Sequence, residues 1–157
     1  MGKIDSQPAD QRGPRAKVRR KPVSYPQLIA ACQAFDVMIK AGVIENLAIR
    51  SLTFVVGVYA DNVHGGRRLP ISRAARRAAK SEWRREHGAP KVPFARLIMK
   101  AYREGKLTEA VADALCEKHW QIAIITKEED RRITANGWRS KLGDSAFARY
   151  GANGIEF

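Results

Sequence analysis

The stretch from Ile44 to Ala60 constrains the fold more than any other, because its apolar residues (Ile44, Leu47, Ile49, Leu52, Phe54, Val55, Val56, Val58, Tyr59) fall on nearly every side of a helical projection. A helix apolar all round must be covered by other elements, and 17 residues suit a helix better than a strand. The stretch is therefore expected to form a buried central helix, although the β-branched part from Leu52 to Tyr59 has strand character of its own. Around it the 3–4 residue spacing recurs. Tyr25, Leu28, Ile29, Cys32, Phe35, Met38 and Ile39 mark a helix opened by Ser24 and Pro26 and closed by Gly42. Phe94, Leu97, Ile98, Ala101 and Tyr102 mark another, with Pro93 as its first residue and Gly105 as its stop. Thr108 caps a third, whose Val111, Leu115 and Cys116 face the core.

Gln121–Thr126 is the one short β-like run, and a strand needs a partner; residues 52–58 are the nearest in character. Thr126-Lys127-Glu128-Glu129 has the Ser/Thr-x-x-Glu form of a capping box and starts a helix that ends at Asn136-Gly137. Its acidic first turn suits the helix dipole. The aromatics from Trp138 to Phe157 fold back onto the core. The expected architecture is a mainly α, compact bundle of about five to six helices over residues 24–157, with at most one short β segment. Residues 1–23, rich in proline, glycine and basic residues, form a disordered basic arm that carries Arg19 and Arg20.

Charge restricts the partner. The chain has 29 Lys and Arg against 16 Asp and Glu, a net charge of +13, and residues 67–86 hold eight of those cations against two glutamates. Clustered positive charge raises affinity for polyanions, of which nucleic acid is the commonest in cells. Read as a helix opened by Ser72 and closed by Gly88, residues 72–87 place Arg73, Arg76, Arg77, Lys80, Arg84 and His87 on one face within about 60°. Ile71, Ala75, Ala78 and Ala79 lie on the opposite face. Arg67, Arg68 and Arg85 flank the stripe, and Glu82 pairs with Arg85 three residues on. The like charges at i,i+4 cost roughly 1 kcal/mol together, which a polyanion relieves.

Cys32 and Cys116 fall on apolar helical positions and read as small core residues in a reducing compartment. No signal peptide opens the chain, and Arg50 interrupts its longest apolar run, so a soluble, cytoplasmic protein without membrane contact is expected. His64 stands in a turn without ligand neighbours, and His119 and Trp120 read as packing residues. Zinc-spaced cysteines, a phosphate-cradling glycine loop, a Gly-x-Ser-x-Gly elbow and a His-Glu-x-x-His helix are all missing from the sequence, which removes several enzyme classes.

One further pattern concerns chemistry at phosphates. Glu86-His87 is followed by Pro90 and a helix, and Ile124 to Ile133 runs from a β-like segment into the acidic helix start. This arrangement resembles HNH-type nucleases. The resemblance implies His87 as the base, Glu86 as a metal ligand, Asp130 or Glu129 as the downstream ligand, and Mg²⁺ or Mn²⁺ as the cofactor. It covers about a quarter of the chain, its middle Asn has no counterpart, and a carboxylate stands where the family has a downstream His or Asn. The family places its His at a strand end, so this reading and a helix over 72–87 exclude one another. Three functions follow: a nucleic-acid-binding protein that contacts phosphates, a metal-dependent endonuclease, or an accessory or inhibitor protein docked on an acidic protein surface.

Overall fold

The computed structural model describes residues 22–157, so residues 1–21 of the expected arm, with Arg19 and Arg20, lie outside the described residues, while Val23 packs against the core. Seven helices and two strands follow in order: α1 (Tyr25–Lys40), α2 (Glu45–Val63), α3 (Arg73–Arg77), a 3₁₀ turn (Lys80–Glu82), β1 (Trp83–His87), α4 (Lys91–Arg103), α5 (Glu109–His119), β2 (Ile122–Thr126), α6 (Lys127–Ala135) and α7 (Ala148–Gly151). The mainly helical architecture is as the sequence predicts, and its β structure is one short two-stranded sheet. Among the described residues no helix is long and apolar enough to cross a membrane.

Helix ends follow local chemistry. Gln27 returns a side-chain oxygen to the Ser24 backbone N–H, Thr108 accepts from Val111, and Thr126 with Glu129 completes the expected capping box. Gly42, Gly105 and Gly137 end α1, α4 and α6 with φ of 82°, 68° and 71°, a region that L side chains avoid. Helix α4 starts two residues earlier than the proline rule suggests, at Lys91, with Pro90 as N-cap. Val111, expected inside, is exposed on α5.

Helix α2 is half covered rather than enclosed. Ala48, Ile49, Leu52, Val56, Tyr59 and Ala60 pack into the core against α1, α4 and α5, while Ile44, Leu47 and Phe54 are more than half exposed. The expectation of burial on every side fails because α1, α4 and α5 cover only one side of this helix. Cys32 and Cys116 sit fully buried, and burial pushes their thiols up to about 11 and 12, as inert core residues.

The expected basic helix over 72–87 is the main correction. The helix stops at Arg77; Ala78 and Ala79 are extended (ψ 156° and 145°), and Trp83–His87 pairs antiparallel with β2. The reason lies in β2, every residue of which is buried. Ile122 and Ile124 face the helical core, while Ala123 and Ile125 face Ile133, Tyr150 and Ile155. A strand apolar on both faces must also have its backbone groups satisfied on both edges. Residues 70–72 satisfy one edge, through Ile124 N–H to Pro70 (2.8 Å) and Ser72 N–H to Ile124 (2.9 Å), and β1 supplies the other. The partner of β2 is thus residues 83–87 and not 52–58. The Trp83 indole N–H donates to the Ala75 carbonyl at 2.7 Å, which helps to satisfy the end of the shortened helix. Glu82 pairs with Lys127 (3.4 Å) instead of Arg85.

Ser72 ties these elements together. Its hydroxyl accepts from Ala75 N–H as the N-cap of α3 and donates to the buried Glu129 carboxylate at 2.7 Å. Ser72→Ala removes a cap and a charge-assisted bond together, at an expected cost of about 2 kcal/mol. Urea unfolding monitored by circular dichroism measures it; an unchanged midpoint would refute the role.

Candidate functional site

Side chains of a strand alternate, and the register assigns each residue of β1 to a face. Arg84 and Glu86 oppose Ile125 and Ala123, so they lie on the side of α6 and α7; Trp83, Arg85 and His87 oppose Thr126, Ile124 and Ile122, on the side of the helical core. A cleft of about 480 Å³ opens where β1 ends, bounded by the start of α4, by α6 and by the C-terminal segment. Glu86, His87, Lys91, Asp130, Arg139 and Arg149 are among its lining residues.

Glu86 is held from the C-terminal segment. Arg149, only 3% exposed, places Nη1 at 3.1 Å from the Glu86 carboxylate and at 2.8 Å from the His87 carbonyl, and the Tyr150 hydroxyl donates to the Glu86 carbonyl (3.2 Å). Gly88 permits this approach, since a Cβ there would lie 2.2 Å from the Ala146 carbonyl oxygen. Burial raises the Glu86 carboxyl above its usual range and nearby Asp130 adds to the rise, while Arg149, His87 and Arg139 oppose it. Asp130 itself has no ion-pair partner among the described residues.

His87 looks toward the helical core. Its Nε2 lies 3.7 Å from Asp61 Oδ1, an ion-pair distance, and its ring sits 4.7 Å from that of Trp120. The Trp120 indole N–H donates to the same Asp61 oxygen at 2.9 Å. Burial pushes the Asp61 carboxyl up, but contacts with His87 and Trp120 and the charge of Arg85 outweigh it and hold the group below the usual range.

Of the basic residues singled out by sequence, several are already engaged. Arg67 forms a fork with Glu117 (2.7 Å for one arm), Arg73 pairs with Glu156 (2.7 Å), and Arg76 donates to the Ile71 carbonyl. Lys80 lies 6.0 Å over the Trp83 ring, and Arg68 is exposed. Arg77, Arg84 and Arg85 are exposed and have no ion pair among the described residues. They are spread over α3 and both faces of the edge strand β1, so the single helical stripe is replaced by a patch that wraps the sheet edge.

The HNH resemblance names Glu86, His87, Glu129 and Asp130. His87 does end a strand, and Glu86 and Asp130 do share a cleft. Glu129 is 4% exposed and spent on Ser72 and Thr126. Among the described residues no three His, Cys, Asp or Glu side chains are grouped to hold a metal, and the Arg149 guanidinium already sits against Glu86. The donor set does not fit a divalent cation as it stands. Asp61, Lys91, Arg139 and Arg149 are the site residues that sequence reasoning missed; the only signal was an arginine embedded in the aromatic C-terminal segment. No protein-family model, curated protein or solved structure matches the chain.

Proposed function

We propose that the protein binds nucleic acid through its phosphates. The observation that carries this reading is the trio Arg77, Arg84 and Arg85, exposed on α3 and β1 and without a close ion pair among the described residues, in a segment with eight cations and two glutamates. Unpaired like charges concentrated in one segment repel one another, and a polyanion reverses that cost. Arginine suits the task because its planar fork gives two hydrogen bonds to one phosphate. The contacts of these arginines are to the backbone and carry no sequence information of their own.

Affinity for generic duplex DNA and single-stranded RNA, measured by fluorescence anisotropy against salt, tests the reading. With six phosphates neutralised, log K against log salt should slope by roughly −5 on DNA. Arg77→Ala, Arg84→Ala and Arg85→Ala combined should flatten that slope by about 3, close to one per cation removed. Affinity insensitive to salt, or no binding even at low salt, on the order of 50 mM, would sink the proposal and turn attention to an acidic protein as the partner.

A further inference from the structure

We infer that the cleft at the end of β1 holds one nucleotide of the bound strand, its phosphate at Lys91, Arg139 and the start of α4, and its base against Asp130, with Arg149 as the resident cation in place of a metal. This rests on the reading of the protein as a nucleic-acid binder. The cleft, about 480 Å³, lies within the range of small-ligand sites. Its lining carries both signs of charge, and beside the paired Glu86 and Arg149 it includes Asp130, which has no ion pair among the described residues. Lys91 and Arg139 are exposed with no ion pair among the described residues, and α4, 13 residues long, has no side-chain cap on its first N–H groups. These are anion-binding elements at one end of the cleft.

Arg149 is the second, independent observation. It is buried, lines the cleft, and its Nε–H has no hydrogen-bond partner among the described residues, although Nη1 is taken by Glu86 and the His87 carbonyl. A buried donor left open is costly, and an acceptor seated against Arg149 would relieve that cost. Because Arg149 neutralises Glu86, Asp130 is the carboxylate left to meet a ligand. A carboxylate only accepts hydrogen bonds, so it selects a base that presents donors. Guanine offers two adjacent N–H donors to one carboxylate, adenine and cytosine offer an amino group, and thymine offers only its N3–H, flanked by two carbonyl oxygens that repel a carboxylate.

The test uses the full chain, titrated with dGMP, dCMP, dTMP and inorganic phosphate and followed by ¹H–¹⁵N NMR, with EDTA or with Mg²⁺. Shifts should map to the start of α4, Asp130 and Arg139, with dGMP tighter than dTMP by about tenfold. EDTA should change nothing. Asp130→Ala should remove the preference among bases, and Arg139→Ala should weaken every nucleotide and phosphate alike. A requirement for Mg²⁺, or cleavage of plasmid in its presence, would show a metal centre and overturn the inference. If long DNA binds with the expected salt slope while dGMP leaves the cleft unperturbed, the subsite is wrong and the phosphate-binding reading stands; if neither binds, both fall.

Discussion

Replacing Trp120 with alanine is expected to lower stability by about 4 kcal/mol, a large share of the 5–15 kcal/mol typical of a domain. The ring is 1% exposed and packs 5.2 Å from Phe94 and 4.7 Å from His87, with its edge 3.7 Å from where a Cβ would stand on Gly57. It is therefore the common neighbour of α2, α4 and the end of β1, and truncation leaves a cavity that these elements cannot all close. The indole N–H also donates to Asp61 (2.9 Å), so the loss leaves that carboxylate with His87 as its nearest partner. Trp120→Phe separates the two effects: it retains most of the packing and should cost about 1–2 kcal/mol, the value of the hydrogen bond and residual space. Urea unfolding of both variants decides. Equal costs would mean that the ring volume contributes little and that the bond to Asp61 dominates.

The reach of the sequence ended where local pattern competes with long-range pairing. Caps at Ser24, Thr108 and Thr126 and stops at Gly42, Gly105 and Gly137 were legible, because each depends on residues within four positions. The helix over 72–87 was not, although its alanines and arginines are good helix formers. Its fate was decided by Ile122–Thr126, some forty residues on, which has one edge met by residues 70–72 and the other by β1. The same distance hid the site. Glu86, His87 and Asp130 stood out by type, but Arg149, 62 positions from His87, and Asp61, 26 positions before it, reach them only through the fold. The patch of Arg77, Arg84 and Arg85 survived the misread helix for a simple reason: charge density belongs to composition, whereas the direction of each side chain belongs to structure.

Arg149→Met is expected to cost about 3 kcal/mol at neutral pH, by leaving a partly buried charge without its partner. Methionine retains the apolar stem and fills similar space, so the loss reports the guanidinium and not a cavity. What remains is Glu86, with its side chain 24% exposed, beside Asp130, and a His87 carbonyl without its donor. Burial already holds the Glu86 carboxyl above its usual range, and Arg149 is the largest influence in the other direction. Without it the folded-state value rises further from the unfolded one. A carboxyl raised in this way binds its proton more tightly in the folded chain, so stability grows as pH falls through the folded-state value toward the unfolded one. The deficit of Arg149→Met relative to the parent should therefore be largest at neutral pH and shrink in mild acid. Glu86→Gln in the same chain should restore part of the loss at neutral pH and remove that pH dependence, because no charge remains to be neutralised. A deficit that is the same at every pH, or a double variant no better than the single one, would mean that Arg149 acts through its hydrogen bond to the His87 carbonyl alone, and that Glu86 needs no internal cation.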